Sequence, residues 1–405
     1  MPPSVPGVLR RDRVACIPPA PELSMVSAYP EVLVIGGGIS GTSAAAELAR
    51  THRVLLLEAE VSPSYHSTGR SAAVLSETYG NRPVRALTLA SREFFRSPPP
   101  EFGPYPLLKR RGWLYVACAS RAPALERFLA AQDVARHVRR IGAQEALALS
   151  PLLRPQAVEA GGAYEEHAAD IDVHALHQGY LRLLRRQATI MTGAQVTAIA
   201  HRHGLWHIKS TAGDFRAPVL INAAGAWADR MAVLAGVPPM RIQPCRRTAV
   251  LAELADREVS DAWPLTIDIE ESYYFKPDAG LLLVSPADET PVEPGDTQPE
   301  ELDIATALER IEQATHASIR RVRRAWAGLR SFSPDRSPVI GFDPAAPGFF
   351  WLAGQGGYGI QTAPGASSLA AALVRGEQMP PLLAGVDPAK VSPARFAKLS
   401  EEPHC

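Results

Sequence analysis

Short apolar runs, bounded by glycine, proline or charge, set the pattern of this chain. From Glu31 the segments run EVLVI, GGGISG, TSAAAELARTH and RVLLLEAE. An apolar run before glycines and an alanine-rich stretch after them predict strand, tight loop, helix and second strand. In VRALTLASREFF, Val84, Leu87, Ser91 and Phe94 recur at helical spacing, so a helix is expected there. The segment SPPPEFGPYP then breaks the chain, and GWLYVACA predicts a strand. VHALHQGYLRLLRRQ predicts a helix, followed by a β-rich run over 189–223 with turns at 203–204 and 212–214. VLINAAGAWADRMAVLAG is a second strand-to-helix passage. RRTAVLAEL, SYYFKP and GLLLVSP predict strands, and DIATALERIEQA, with Ile304, Leu308 and Ile311 in register, a helix. The last passage reads as a strand GFFWLA, a glycine turn and a helix. The expected class is α/β (α+β overall), with α/β pieces at the start, middle and end and β-rich pieces between them.

Charge and composition narrow the functional classes. The chain has 405 residues, 46% hydrophobic, with Lys plus Arg and Asp plus Glu both at 42. A neutral balance offers no broad basic field for nucleic acid, and no apolar run is long enough for a transmembrane segment. Cys16, Cys118, Cys245 and Cys405 lack CxxC spacing, which points to a reducing, cytoplasmic setting and away from a disulfide framework. Residues 1–28 are proline-rich without the apolar stretch of a secretory signal. They are expected to be a disordered extension, with Met25 a candidate start. His201, His203 and His207 read as a solvated hairpin and not a metal site, because no acid or cysteine completes a ligand set. The arginines of RRVRRAW (320–326) read as a solvated surface.

Gly36, Gly38 and Gly41 have GxGxxG spacing after a strand and at the opening of a helix. Such a loop, with Ile39 and Ser40 at the helix start, presents backbone N–H groups to a pyrophosphate. Glu58 ends the second strand, where a carboxylate accepts from a ribose and disfavours a 2′-phosphate. NAD and FAD share this half, so the motif does not separate them. Near the C-terminus Gly354-Gln355-Gly356-Gly357-Tyr358-Gly359 opens another helix. It reads equally as a donor of N–H groups to an electron-rich ring and as a packing turn.

Four further motifs bear on that choice: HSTGRSAA at 66–73, INAAGAW at 221–227, AGLRSFSPDRSPVIG at 327–341 and GGYGIQT at 356–362. In this order and spacing they resemble the FAD-dependent D-amino-acid oxidase family, and within it most resemble a bacterial, arginine-oxidising branch. The likeness runs from Val32 to past Ala370. It implies a Rossmann-like FAD-binding region of glutathione-reductase type, assembled from 29–96, 170–238 and 330–380. A β-sheet substrate region would comprise 97–169 and 239–329, and 381–405 a tail. By resemblance, Gly36, Gly38, Gly41 and Glu58 hold the adenosine half. Ser67, Thr68, Ser71 and Ala72 line pyrophosphate and flavin, and Val196 meets the adenine. Ala224 and Gly225 let the chain pass close to the cofactor, and Gly359, Ile360 and Gln361 sit at the flavin pyrimidine. Family members with covalent flavin use a cysteine, and GLRSFSPD has none, so noncovalent FAD is expected.

The resemblance also assigns a substrate end. Arg330 matches the carboxylate clamp, and Arg247 a second arginine. Tyr274 and Tyr79 match hydroxyls that close the site, and the Gly357 carbonyl accepts from the amine. Val74, Ser76, Trp113 and Ile267 would line the side-chain pocket. The implied reaction is oxidative deamination of a D-amino acid by hydride transfer from Cα to flavin N5. The imino acid then hydrolyses to a 2-oxo acid and ammonia, and oxygen, a quinone or another acceptor takes the electrons. Arginine-oxidising members carry a glutamate after a PLL segment and a histidine after GRSAA, where this chain has Trp113 and Val74. Apolar or aromatic substrates are therefore expected over D-arginine, unless Glu77 or Glu271 restores an acid. The alternatives are D-arginine or D-lysine oxidation, oxidation of glycine, sarcosine or other secondary amines, and a non-catalytic flavin-binding subunit.

Overall fold

Val32–Ile35 form β1, a four-residue strand buried on both faces, as a central parallel strand must be. The computed structural model to which it belongs describes residues 29–396. The expected extension over 1–28, Cys16, Cys405 and the last residues of the tail lie outside the described residues. β1 pairs in parallel with β2 (Val54–Leu57) and with Val219–Asn222. The six-stranded sheet runs in the order Val339–Phe342, Phe349–Ala353, Val219–Asn222, β1, β2, Thr189–Met191.

Alternation along β1 divides the core in two. Val32 and Val34 pack with α1 (Ile39–Leu48), α2 (Val173–Gln187) and α3 (Gly359–Arg375). Leu33 and Ile35 pack on the opposite face with Trp206, Phe349 and Trp351. Trp206 comes from a three-stranded sheet over Val196–Ala217. Two-residue periodicity thus makes one strand serve two layers. Alanines at 44 and 45 and at 370 and 371 keep α1 and α3 close to the sheet.

A second sheet, of ten strands, contains β3 (Gln243–Leu254), β4 (Leu265–Asp268), β5 (Tyr274–Asp278) and β6 (Ile319–Phe332). In the β3–β6 ladder Cys245 lies opposite Arg330 and Arg247 opposite Gly328. Residues two apart on a strand share a face, so this register puts the two arginines on one side. Ile267 lies opposite Tyr274 between β4 and β5, and Trp113 lies opposite Leu265. Among the described residues no helix is long and apolar enough to cross a membrane.

Gly179 interrupts α2 at a position where glycine lowers helix propensity by about 1 kcal/mol relative to alanine. The reason is packing, since a Cβ there would lie 2.1 Å from the buried ring of Phe102. Despite the better propensity of alanine, Gly179→Ala is expected to destabilise the fold by about 1–3 kcal/mol through overpacking, measured by denaturant unfolding. A variant as stable as the parent would contradict this packing.

Candidate active site

The glycine loop is held by close backbone contact and by the side chains of Glu58, His177, Thr42 and Thr68. Gly36 has φ +111°, and a Cβ there would lie 2.4 Å from the Ala223 carbonyl oxygen. A Cβ at Gly41 would lie 2.0 Å from the Gly36 carbonyl oxygen. Gly41 therefore supports the loop from beneath. The Gly37 N–H donates to Glu58 Oε2 at 2.6 Å, and its carbonyl accepts from His177 Nε2 at 2.9 Å. Burial lowers the pKa of His177, so the ring is a neutral donor, and its Nδ1 has no partner. Glu58 Oε1 also accepts from the Glu60 N–H at 2.8 Å. Oε2 thus braces the loop and Oε1 fixes the carboxylate on its own segment, and their remaining lone pairs stay open to a ribose. α1 begins with no side-chain cap at Gly38, and the Ile39 N–H donates to Thr68 Oγ1 at 3.0 Å.

A cavity of about 590 Å³ runs from this loop to Arg330. Gly36, Gly38, Ile39, Ser40, Glu58 and Val196 line one end. Ser67, Thr68, Ser71, Ala72, Ala224 and Gly225 follow, and Gly359, Ile360 and Gln361 flank the middle. Val74, Tyr79, Trp113, Arg247, Ile267, Tyr274, Arg330 and Gly357 enclose the far end. Two expected residues are not among its lining. Gly41 packs under the loop, as described. Ser76 is fully buried and donates to Glu165 Oε2 at 2.7 Å, while its N–H donates to Gln361 Oε1 at 3.2 Å. Its hydroxyl is committed to a buried acid, so its place in the side-chain pocket is corrected to a support behind Gln361. Glu77 is also outside the cavity, bound to His137 Nδ1 at 2.6 Å and Arg92 at 3.4 Å.

The two arginines differ in electrostatic state. Arg247 Nη2 lies 3.0 Å from Glu289 Oε1 and its Nε donates to the Asp288 carbonyl at 2.7 Å. Arg336 shares that glutamate at 2.9 Å. Arg330 Nη1 donates to the Tyr79 hydroxyl at 3.0 Å, and among the described residues no carboxylate lies within 4.0 Å of its guanidinium. Gly357 makes room for it, because a Cβ there would lie 2.7 Å from Arg330 Cζ. Burial holds the Tyr79 hydroxyl above its ordinary pKa, opposed by Arg330 and reinforced by Glu271. The phenol therefore stays protonated and donates to Glu271 Oε2 at 3.2 Å. The Tyr79 ring lies 5.0 Å from both Trp113 and Tyr358. Tyr274 is buried and faces the same space.

The residues present fit FAD. A helix start at which Gly38 supplies no side-chain cap faces the cavity, suited to a pyrophosphate. At Gly36 and Gly41 the backbone leaves no space for a side chain. Gln355 lines the cavity with both amide atoms buried and unpartnered, which in folded proteins calls for an explanation such as a bound group. Sequence reasoning assigned no role to His177 or Gln355. Gln355 stands inside the quoted C-terminal glycine turn, a signal that was present. His177 sits mid-helix, far from any motif, and no signal marks it.

The His177 contact generates a prediction. His177→Leu removes one of two side-chain donors to the Gly37 carbonyl, the other being the Thr42 hydroxyl at 3.0 Å, and is expected to weaken FAD binding to the apoprotein roughly tenfold, the cost of about one buried hydrogen bond. His177→Gln, which keeps a donor, is expected to retain most of the affinity. Fluorescence titration of apoprotein with FAD measures both, and equal affinity of His177→Leu and parent would contradict the role.

Comparison with known proteins agrees with this geometry. Over 85% of its length the chain is 24% identical to cattle FAD-dependent oxidoreductase domain-containing protein 1, covering 81% of that protein. It is 25% identical to glycine oxidase from Geobacillus kaustophilus, covering 85% of this chain and 92% of that one. The structure of L-proline dehydrogenase from P. horikoshii superposes with a TM-score of 0.77 at 21% identity, over 91% of this chain and 98% of that one. Residues 31–373 match the family DAO, FAD dependent oxidoreductase. With the match spanning the glycine loop, Arg330 and the C-terminal turn, the chain belongs to the DAO family of FAD-dependent oxidoreductases.

Proposed function

We propose that this protein oxidises D-amino acids at the carbon bearing the amine, using noncovalent FAD and favouring apolar or aromatic side chains. The observation that carries the reading is Arg330, a half-buried cation lining the cavity with no carboxylate within 4.0 Å among the described residues. A substrate carboxylate would supply the missing charge through a bidentate pair. Neither Cys118 nor Cys245 lines the cavity, which supports noncovalent FAD over a cysteinyl link.

FAD, when bound, supplies the two-electron acceptor for the hydride leaving the substrate carbon. The residues of the chain provide orientation. In this reading Arg330 fixes the carboxylate plane and the Gly357 carbonyl accepts from the amine, which the close approach of Gly357 to the Arg330 guanidinium supports. Tyr79 and Tyr274 crowd the same end with aromatic surface and exclude water from the reacting bond. Trp113 and Ile267 give the side-chain end an apolar wall. Supporting this preference, Glu58 and Glu60 are the only carboxylates lining the cavity among the described residues, and both lie at the glycine-loop end. A second reading, oxidation of a secondary amine or glycine, is favoured by the likeness to glycine oxidase and L-proline dehydrogenase.

Anaerobic titration with D- and L-amino acids, glycine, sarcosine and proline tests the reading. The flavin is expected to bleach with D-methionine or D-phenylalanine, at higher kcat/KM than with D-arginine. Bleaching by sarcosine or proline alone would favour the second reading, and none at all a non-catalytic flavoprotein. Arg330→Ala is expected to lower kcat/KM by roughly a thousandfold, the range for losing one side of a buried charge pair. A loss below tenfold would contradict the clamp.

A further inference from the structure

A zwitterionic amino acid reaches the cavity with its amine protonated, and an ammonium has no lone pair to assist departure of a hydride. One proton must leave first. At the Arg330 end no carboxylate or imidazole lines the cavity among the described residues. The groups there are Arg247, Arg330 and the hydroxyls of Tyr79 and Tyr274.

We propose that Glu271, acting through the Tyr79 hydroxyl, takes up the proton that the substrate ammonium loses. The inference rests on the amino-acid-oxidising reading of the same cavity. Tyr79 is the one cavity-lining group hydrogen-bonded both to the carboxylate clamp, at 3.0 Å from Arg330 Nη1, and to an acid outside, at 3.2 Å from Glu271 Oε2. Among the described residues Glu271 has no cation within 4.0 Å, and the phenol is its side-chain partner. The surrounding titratable groups are Arg247, Tyr358, Tyr115 and Arg336, and none of them makes a hydrogen bond to Glu271.

The backbone is built to aim this acid. Glu271 has φ +56°, a left-handed conformation uncommon for a residue with a side chain and often found at functional positions. The turn between β4 and β5 holds it there. The Glu271 N–H donates to the Asp268 carbonyl at 2.8 Å. Asp268 Oδ2 accepts from the N–H groups of Glu270 at 3.0 Å and Ser272 at 3.2 Å. Arg121 pairs with Asp268 from outside, and Arg310 donates to the Ser272 carbonyl at 2.6 Å. Three charged side chains thus hold a four-residue turn whose strained member points at Tyr79.

The step balances as a relay. The ammonium gives a proton to Tyr79 Oη as the phenol passes its own to Glu271 Oε2. The products are a neutral amine, an unchanged tyrosine and a protonated Glu271. Glu271 is half-buried, so it can return the proton to solvent.

The test uses holoprotein and the variants E271Q and Y79F. Flavin content and the affinity for benzoate, a carboxylate without an amine, report on cofactor site and clamp. Rapid anaerobic mixing with the best-reducing amino acid reports the reduction rate. E271Q is expected to bind benzoate as the parent does, yet to be reduced roughly a hundredfold more slowly at about pH 7. The deficit should close toward about pH 10, where an alkylammonium begins to lose its proton unaided, and Y79F should show the same pH-dependent gap. A deficit constant with pH, no deficit, or one explained by lost benzoate affinity would overturn the relay. Should E271Q fail to hold FAD, Y79F decides alone by the same criterion. If no amino acid reduces the parent, the functional reading itself fails; if the parent is reduced and the variants match it, only the relay does.

Discussion

A guanidinium withdrawn from water without an acid beside it carries a desolvation cost of several kcal/mol, and folded proteins seldom leave such a charge uncompensated. Arg330 is half-buried at the cavity wall; among the described residues only the Tyr79 phenol hydrogen-bonds its guanidinium, and the missing side chain at Gly357 leaves it room. The β3–β6 register, the glycine turn before α3 and the aromatic wall around Tyr79 all converge on keeping it there. Arg247, on the same face of the sheet, shows the contrast. Its partner Glu289 and the Asp288 carbonyl leave it a structural cation with a satisfied charge, able to shape the cavity without being its principal anion receptor.

The two sheets meet at the cavity, and under the proposed function one would hold the cofactor and the other present the substrate. The six-stranded sheet, parallel except at the Val339–Phe342 edge, ends at a loop where Gly36 and Gly41 approach backbone directly and where Gly37 is held by Glu58 at its N–H and by His177 and Thr42 at its carbonyl. The second sheet crosses the open side of that loop and delivers its arginines and tyrosines by strand alternation. Ser67 joins the two, donating to the Leu329 carbonyl at 2.8 Å, one residue from Arg330. Displacement of either sheet would therefore move Arg330 relative to the loop.

Much of this was legible in the sequence, for identifiable reasons. The βαβ opening, the helix over Val173–Gln187 and the long strands follow from periodicity, because two-sided burial writes continuous apolar runs. Arg330 and Gly357 were legible only through motif resemblance, since an arginine's partner is set by a strand register that pattern does not encode. Ser76 was misplaced because nothing local reveals Glu165, 89 residues away. His177 and Glu271 were silent for a related reason: each acts through contacts made across the fold, one at a helix face, the other in a left-handed turn that its residue type does not signal.

The central claim is that the half-buried cation at Arg330 selects substrates by their carboxylate. Its most direct measurement is anaerobic reduction of the bound flavin by a D-amino acid compared with the amine obtained by removing that acid group, under identical conditions. The account predicts rapid bleaching by the amino acid and almost none by the decarboxylated amine. Equal rates for the two would show that Arg330 does not govern what this cavity oxidises.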